Sequence, residues 1–266
     1  MKLDHKIAII GSGNIGTAIY RGMINKGIPA SNFCLTRRRT DLLSAEADEG
    51  ARVGNDNKAA AKASDIIILT VLPKQLMGVL DEIKDSLDNS KILISVVTAY
   101  SIKEIREYTG NKCPVILVMP NTALSVGESM TCIAADKEDS ESLELTCEYF
   151  KLVGEVLKIP ERLIGSATIL AACGVAFFMR YIRAASQGGI QVGFHAEEAQ
   201  LIAAQTAKGA SKLLLATGNH PETEIDKVTT PMGCTIAGLN EMEHNGLSSA
   251  LIKGIVTSYN ELSKLK

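Results

Sequence analysis

Short apolar runs recur along residues 6–160 and alternate with segments of helical periodicity. The runs are four to six residues long, and they predict β-strands at 6–10, 33–36, 66–71, 92–97 and 115–119. Helices are predicted between them, near 14–26, 40–49, 75–87, 101–109 and 138–152. Strands that are apolar on both faces and joined by helices predict a parallel sheet with helices on either side.

The pattern changes near residue 160. Two further strands are predicted at 129–135 and 154–160, towards one edge of the sheet. Beyond Pro160 the pattern predicts no strand, and helices are expected at 164–190, 196–217, 235–244 and 247–264. The chain is therefore predicted to contain an α/β domain, residues 1–160, followed by an all-α domain, residues 161–266.

A glycine motif fills the first strand-to-helix turn. In "AIIGSGNIGTAI" a GxGxxG pattern follows an apolar strand and opens a helix, which is the setting of a dinucleotide-binding, Rossmann-type domain. The first glycine permits the turn, the second lets backbone approach a pyrophosphate, and the third allows close packing. The N–H groups of 12–15 would then face the phosphates. A tight turn without a ligand is the alternative. The candidate residues are Gly11, Ser12, Gly13, Asn14, Ile15 and Gly16.

The end of the second strand bears on which cofactor binds. A site that prefers NAD usually carries Asp or Glu there, to bind the ribose 2′-hydroxyl. This chain has Thr36 followed by Arg37, Arg38 and Arg39. Because guanidinium groups match phosphate oxygens, Thr36, Arg37 and Arg38 predict a 2′-phosphate and hence NADPH, with NADH as a weaker possibility. Arg39 is expected to be solvated, and an exposed helix start is the alternative for all three arginines.

Composition excludes several other classes of protein. The net charge of −2 provides no basic field for nucleic acid, and aromatic residues make up only 4%. The six cysteines lack zinc-site spacing, so we expect no metal and reduced, mostly buried thiols in the cytoplasm. The apolar stretch 163–179 is shorter than the roughly 20 residues of a membrane span, and predicts instead a helix buried on all sides, in a subunit interface for example.

The whole chain resembles the pyrroline-5-carboxylate reductases, which catalyse the last step of proline synthesis. The matching stretches are "GSGNIG", "DN" at 56–57, "LPKQ" at 72–75, "VMPNT" at 118–122, "AAQTAKGASKLL" at 203–214 and "VTTPMGCTIAGLNEME" at 228–243. The last stretch is the most specific, because the family pattern is close to V-T-S-P-G-G-x-T-x-x-G-L. This chain keeps Val228, Thr229, Pro231, Gly233, Thr235, Gly238 and Leu239.

The resemblance implies a Rossmann domain followed by a helical dimerisation domain. Two such helical domains interleave in the family, with the active site between the nucleotide domain and that dimer. Some members assemble further, as five dimers, so a homodimer and a decamer are both implied. The resemblance also implies that Asn57 contacts the adenosine ribose, and that Val71, Leu72, Pro73 and Thr98 lie by the phosphates and nicotinamide.

Four departures from the family pattern concern the site. Leu72 stands where the family has a lysine, although Lys74 follows it closely. Met232 stands where the family has the first of two glycines, and Thr230 replaces a serine. The family's Ser-Gly-Ser-Gly-Pro-Ala-Tyr is here "AACGVAF" at 171–177, which lacks the serines, the proline and the phenol.

The implied reaction is the NADPH-dependent reduction of 1-pyrroline-5-carboxylate to L-proline. Hydride must reach the imine carbon, a proton must reach the nitrogen, and the carboxylate must be held. By position and by the resemblance, Thr235 is the candidate that hydrogen-bonds the imine nitrogen and relays a proton from water, acting more through orientation than as an acid.

The turn before Thr235 is the candidate carboxylate site. Its N–H groups lie at a helix start, where an anion is favoured. The predicted substrate-binding residues are Thr230, Met232, Gly233, Cys234 and Thr235. The alternative is that Thr235 serves only as a helix N-cap and Pro231 as a stop for the preceding helix.

Two other functions stay open at the level of sequence. A reductase of another cyclic imine, or of a hydroxy acid, would keep the cofactor and change the substrate, and the altered 171–177 segment motivates it. A catalytically silent NADP(H)-binding regulator is the third hypothesis, because the lysine and serines of the family are missing. Turnover of pyrroline-5-carboxylate by the purified protein separates these hypotheses.

Overall fold

The computed structural model describes residues 3–262 and 264. The strands are β1 (Ile7–Ile10), β2 (Phe33–Thr36), β3 (Arg52–Gly54), β4 (Ile66–Leu69), β5 (Ile92–Ser95), β6 (Val115–Met119), β7 (Ser129–Ala135) and β8 (Gly154–Lys158). The helices of the first half are α1 (Asn14–Ile24), α2 (Ser44–Asp48), α3 (Asn57–Lys62), α4 (Leu76–Ile83), α5 (Ile102–Tyr108) and α6 (Ser140–Lys151).

The second half of the described chain is helical throughout. Its helices are α7 (Ile164–Ala167), α8 (Gly174–Gln191), α9 (Ala196–Thr217), α10 (Pro221–Lys227), α11 (Cys234–His244) and α12 (Leu247–Leu262). The predicted α/β part followed by an all-α part is therefore confirmed. The last helix was predicted to reach residue 264, but residue 263 lies outside the described residues.

The strands form one sheet in the order β3-β2-β1-β4-β5-β6-β7-β8. The seven predicted strands all occur, and β7 and β8 lie towards one edge as expected. The expectation of a wholly parallel sheet is wrong at one place, because β7 runs antiparallel to β6. The connection between them, residues 120–128, is shorter than the about a dozen residues that a parallel crossover needs.

The pattern analysis missed β3 and α3. β3 has three residues, "RVG", and lies at the edge of the sheet, so it carries almost no apolar signal. α3 has the sequence "NKAAAK" and begins after Asp56, whose carboxylate accepts the N–H of Ala59 at 2.8 Å. That side-chain cap is the local signal that would have found the helix.

Both faces of the sheet are buried. Along β1, Ile7 and Ile9 belong to one apolar cluster, whereas Ala8 and Ile10 belong to another. Successive side chains of a strand point to opposite faces, so the two clusters are the cores on either side of the sheet. All four residues are 0–1% exposed, which is what runs of apolar residues without alternation predict.

A π-helical segment interrupts the helix predicted at 164–190. Residues 168–173, "TILAAC", form it between α7 and α8. The altered family segment at 171–177 begins inside this π-helix. Contacts divide the described chain into two compact units at the same point: one contains the described residues up to Cys173 and those from Ser258 onwards, and the other is Gly174–Thr257.

The helical unit, taken by itself, has very little core. Among the described residues of α9 only Ala199 is buried, and those of α11 include none. Exposed apolar side chains of this unit include Phe178, Tyr181, Leu201, Ile202, Leu215 and Leu251. Such an extensive exposed apolar surface is typical of an interface with another molecule.

The expectations for the long apolar helix need correction. α8 is not buried on all sides within one chain, since its buried residues, as far as described, are Gly174 and Ser186. The helical run Glu161–Gln191 has 31 residues and contains an 18-residue window with a mean hydropathy of 1.7, so by length and composition it meets the criterion for a membrane-crossing helix. One such helix is weak evidence, because core helices of soluble proteins pass the same test.

Candidate functional site

The glycine turn is held by the end of the neighbouring strand. The N–H groups of Gly11 and Ser12 donate to the carbonyl oxygen of Thr36 at 3.1 and 2.8 Å, and the Gly13 N–H donates to the Gly11 carbonyl at 2.6 Å. The Ser12 hydroxyl points inward, to the carbonyl of Ile9 at 3.0 Å. The N–H group of Ser12 is therefore used by the neighbouring strand and that of Gly13 by the turn itself, contrary to the expectation that all of 12–15 face phosphate.

The N–H groups that remain for an anion are those of the first helical turn. α1 begins at Asn14 with Gly13 as its N-cap. Because the first N–H groups of a helix have no partner within the helix, those of Asn14, Ile15 and Gly16 are left to bind a ligand. They lie at the positive end of the helix dipole, which suits a pyrophosphate.

The three glycines of the motif differ in the space around them. Gly11 has φ +91°, and a Cβ atom there would lie 2.5 Å from Val71 Cγ1. A Cβ on Gly16 would lie 2.9 Å from Thr70 Oγ1 and 3.1 Å from Ile9 Cγ2. A Cβ on Gly13 would come no closer than 3.8 Å to any described atom outside its chain neighbours. Packing explains the first two glycines, whereas at Gly13 the space beside the turn is open.

The predicted adenosine-binding residues form a hydrogen-bonded chain. The Thr36 hydroxyl donates to Asn57 Oδ1 at 2.6 Å, and Asn57 Nδ2 donates to Glu82 Oε2 at 2.6 Å. Thr36 is 1% exposed, so its hydroxyl is turned to Asn57 rather than to a ligand. Glu82 was missed by the sequence analysis because it lies on the exposed side of α4, 25 residues from Asn57, with no motif around it.

The three arginines after β2 differ in their exposure and in their hydrogen-bond partners. Arg37 is half-buried and its Nη1 donates to the Ser12 carbonyl at 3.3 Å, so its guanidinium lies beside the glycine turn. Arg38 is exposed. Arg39 is exposed and pairs with Asp41 at 2.7 Å, as a solvated arginine would. A cavity of about 460 Å³ lies close by, lined by Asn55, Asp56, Asn57, Lys58 and Glu82.

The loop after β4 packs against the glycine turn. The Thr70 hydroxyl, another residue that the sequence analysis missed, donates to the Gly11 carbonyl at 3.0 Å. Val71 contacts Gly11, while Leu72 is 58% exposed and Pro73 begins a short 3-10 helix. This loop therefore lies beside the turn expected to hold the phosphates.

The ends of β5 and β6 meet the π-helical segment. Thr98 Oγ1 lies 3.5 Å from Thr168 Oγ1, and Asn121 Nδ2 donates to the Ala171 carbonyl at 3.2 Å. A π-helical turn changes the backbone bonding of a helix and is often found at functional sites. Thr98 therefore lies beside Thr168 of the π-helix, at the carboxyl edge of the sheet, where ligands of such folds bind.

The candidate substrate turn has a defined geometry. The Gly233 N–H donates to the Thr230 carbonyl at 2.9 Å, and with Pro231 second and Met232 third at φ +60° this is a type II turn. A Cβ on Gly233 would lie 2.5 Å from Thr230 Oγ1. The third position of such a turn favours glycine, so Met232 is strained there, and its side chain is fully exposed.

Thr235 is part of a helix and not its cap. Gly233 is the N-cap of α11, which begins at Cys234, so the alternative that Thr235 is only an N-cap is wrong. Thr235 is half-buried in the first helical turn. Since Gly233 uses its N–H inside the type II turn, the N–H groups of Cys234, Thr235 and Ile236 are the ones that the helix start leaves for an anion.

Among the described residues, the cysteines form no disulfide and no cluster suited to a metal ion. All six cysteines are free, and Cys113, Cys132 and Cys147 are buried. Burial raises the pKa of the Cys113 thiol to about 12, so it stays protonated at neutral pH. Within the part of the chain that the structure describes, no group of three His, Cys, Asp or Glu side chains could hold a metal ion.

The glycine turn, the flanking Arg37 and the sheet edge together define a nicotinamide-dinucleotide oxidoreductase. Residues 6–99 match the family model described as NADP oxidoreductase, coenzyme F420-dependent. Residues 161–265 match the model for pyrroline-5-carboxylate reductase dimerisation. The second model covers the helices whose apolar surfaces are exposed, and it supports a homodimer.

Curated relatives narrow the class. Pyrroline-5-carboxylate reductase 2 of Dictyostelium discoideum is 46% identical over 99% of this chain and 94% of its own length. Pyrroline-5-carboxylate reductase 1 of the same organism is 46% identical over the whole chain, which spans 51% of that longer protein. This chain belongs to the pyrroline-5-carboxylate reductase family.

Solved structures have the same fold. The pyrroline-5-carboxylate reductase of Coxiella burnetii matches with a TM-score of 0.88 at 27% identity, over 99% of both chains. The pyrroline carboxylate reductase of Plasmodium falciparum, solved with NADP bound, also has a TM-score of 0.88, at 24% identity over 98% of both chains. The family resemblance drawn from the sequence is therefore confirmed.

Replacing Gly13 by alanine tests the cofactor role of the turn. We expect Gly13→Ala to leave the free energy of unfolding nearly unchanged and to weaken dinucleotide binding by tenfold or more, about 1.4 kcal/mol, because the methyl group occupies the pyrophosphate's space. Gly11→Ala is the contrasting variant, and should destabilise the fold by about 1–3 kcal/mol. Denaturant unfolding and calorimetric titration measure the two effects. Strong destabilisation by Gly13→Ala would contradict this assignment.

Replacing Met232 by glycine tests the strain in the substrate turn. Glycine adopts φ +60° without steric cost, so Met232→Gly should stabilise the protein by about 0.5–1 kcal/mol, after its greater unfolded-state entropy is counted. Denaturant unfolding of the wild type and variant measures this difference. The assignment of strain is wrong if Met232→Gly is destabilising.

Proposed function

We propose that this chain reduces 1-pyrroline-5-carboxylate to L-proline with NADPH, as the last step of proline biosynthesis, in the cytoplasm. The observation that carries the proposal is the 46% identity to a pyrroline-5-carboxylate reductase over 99% of this chain and 94% of the relative. A likeness of that extent includes both the glycine turn and the turn at 228–239. The activity belongs to the class of oxidoreductases that act on a C=N bond.

NADPH is the proposed cofactor, with NADH as a weaker substitute. Arg37 lies against the glycine turn and the adjacent Arg38 is exposed, and both carry guanidinium groups that can bind a 2′-phosphate. The β2 strand ends on Thr36 and no carboxylate follows it directly, as one would in a typical NAD site. The space at Gly13 and the N–H groups of Asn14 to Gly16 fit the pyrophosphate.

The chemistry assigns separate tasks to the residues. The nicotinamide supplies the hydride when it is bound. Thr235 hydrogen-bonds the imine nitrogen through its hydroxyl and relays a proton from water. Because a threonine hydroxyl is a weak acid, its contribution is chiefly to orient the imine. The N–H groups of Cys234 and Thr235 hold the carboxylate, with Thr230 and Gly233 shaping the turn and Met232 bordering it.

The two parts of the chain on either side of residue 160 have different proposed roles. Residues 1–160 bind the cofactor, and residues 161–266 supply the dimer contacts and the substrate turn. The dimer is a homodimer, and five such dimers form the proposed larger assembly. The substrate is a small molecule, and neither nucleic acid nor membrane has a part in the reaction.

A different cyclic imine is the second candidate substrate. Two observations favour it: the π-helix covers the start of the altered 171–177 segment, and Met232 carries a side chain in a turn where the family has glycine. Turnover of a six-membered imine acid, without turnover of 1-pyrroline-5-carboxylate, would replace the leading proposal.

Substituting Thr235 tests the catalytic assignment. We expect Thr235→Ala to lower kcat by about 100-fold, because the hydroxyl that orients the imine is lost, while Thr235→Ser stays within about tenfold of the wild type. NADPH-dependent proline formation measures the rate, and fluorescence titration should give an unchanged NADPH affinity. Thr223→Ala, on the exposed face of α10, is the matched control. Equal losses in the alanine and serine variants would argue against a hydroxyl role.

Substituting the arginines tests the cofactor preference. Arg37→Ala with Arg38→Ala should raise the KM for NADPH by about 10–100-fold, since one or two charge-assisted hydrogen bonds to the 2′-phosphate are lost. The KM for NADH should change by less than about threefold. Arg39→Ala is the control, because Arg39 already pairs with Asp41. Equal effects on both cofactors would refute the 2′-phosphate assignment.

A further inference from the structure

A carboxylate on helix α4 lies beside Asn57, the residue expected to contact the adenosine ribose. A typical NAD site takes its acidic residue from the end of the second strand, and here that position is Thr36. Instead, the side chain of Glu82 on α4 accepts a hydrogen bond from Asn57 Nδ2 at 2.6 Å. It lines the same cavity of about 460 Å³ as Asn57. The cavity beside Asn57 therefore contains an acidic group, although β2 does not end in one.

The hydrogen bonds fix the orientation of the Asn57 amide and the acceptor role of the Glu82 carboxylate. An ionised carboxylate only accepts, so the amide nitrogen of Asn57 must face Glu82 and its oxygen must face the Thr36 hydroxyl. Thr36 is buried and cannot turn to a ligand. Glu82 is exposed, and one of its carboxylate oxygens remains for a donor in the cavity. The group that meets a ribose beside Asn57 is thus an acceptor with a negative charge.

Such a group distinguishes the two nicotinamide cofactors by their chemistry. The ribose 2′-hydroxyl of NADH has a proton to donate, and a carboxylate is its strong acceptor. The 2′-phosphate of NADPH has no such proton to give in its fully ionised form and carries negative charge, so Glu82 repels it. Arg37 and Arg38 attract the same phosphate. The preference is therefore a balance between two arginines after β2 and one carboxylate on α4.

The other charged groups around the cavity have their own roles. The Asp56 carboxylate accepts the N–H of Ala59 at 2.8 Å and caps α3. Lys58 is exposed at the start of the same helix and adds positive charge. Asp81, the neighbour of Glu82 on α4, pairs with Lys84 at 2.8 Å. Glu82 is the carboxylate of this group that bonds the residue expected to contact the ribose.

We propose that Glu82 is a specificity-determining residue that accepts a hydrogen bond from the ribose 2′-hydroxyl of NADH and opposes the 2′-phosphate of NADPH. It allows NADH to serve as the weaker cofactor although the second strand has no acidic end. This inference rests on the proposed use of nicotinamide cofactors, and it adds a residue from a different element to the control of that use.

The test compares Glu82→Gln with Asp81→Asn in the full-length protein. Both variants remove one negative charge from α4, but only the first alters the group bonded to Asn57, and glutamine retains an oxygen for that bond. Calorimetric titration with adenosine 2′,5′-bisphosphate and with adenosine 5′-monophosphate measures the effect of the 2′-phosphate alone. The kcat/KM values for NADPH and NADH with 1-pyrroline-5-carboxylate are measured beside it.

We expect Glu82→Gln to raise the affinity for the bisphosphate by roughly three- to tenfold relative to the monophosphate, as for removal of one near-surface charge close to a phosphate. The NADPH-to-NADH ratio of kcat/KM should rise by a similar factor. Asp81→Asn should leave both ratios within about twofold of the wild type. An unchanged ratio in Glu82→Gln, or an equal shift in Asp81→Asn, overturns the inference.

The binding measurement keeps the two proposals apart. If the protein does not turn over 1-pyrroline-5-carboxylate and the nucleotide affinities still shift in Glu82→Gln, the proposed function fails and the role of Glu82 stands. If turnover is normal and the affinities do not shift, the role of Glu82 fails and the proposed function stands.

Discussion

The carbonyl oxygen of Thr36 accepts hydrogen bonds from the N–H groups of Gly11 and Ser12, and the proposed cofactor site depends on this contact. It ties the first strand-to-helix turn to the end of the neighbouring strand, so that α1 starts with its N–H groups facing out of the sheet edge. Thr70 holds the same turn from the other side through the Gly11 carbonyl. Because both neighbours of β1 grip the turn, its shape is set before any ligand binds, which reduces the entropy cost of binding.

The two halves of the chain are stable for different reasons. The sheet of the first half has an apolar core of buried residues on each face. The described helices from Gly174 to Thr257 bury few of their apolar side chains within one chain. A homodimer that covers those side chains would couple the stability of the helical half to association, and would make its unfolding depend on protein concentration.

The proposed binding site for the adenosine part of the cofactor combines opposed charges from separate elements. Arg37 could be predicted from the sequence because it directly follows a strand that the apolar pattern identifies. Glu82 could not be predicted, since it lies on an exposed helix face and reaches Asn57 only after α3 and α4 have packed together. The direction of the Thr36 hydroxyl likewise depends on Asn57, a residue 21 positions away. Pairings of this kind leave no local signal in residue type or spacing.

The sequence by itself determined the positions of seven strands, the glycine turn and the family. Apolar runs, GxGxxG spacing and the 228–239 stretch are local patterns with local physical causes. The tertiary structure decided which N–H groups remain free, that β7 turns back antiparallel, that Gly233 rather than Thr235 caps α11, and that a π-helix occupies 168–173. These features depend on connection length, on hydrogen bonds between distant residues and on packing, and none of those is encoded at a single position.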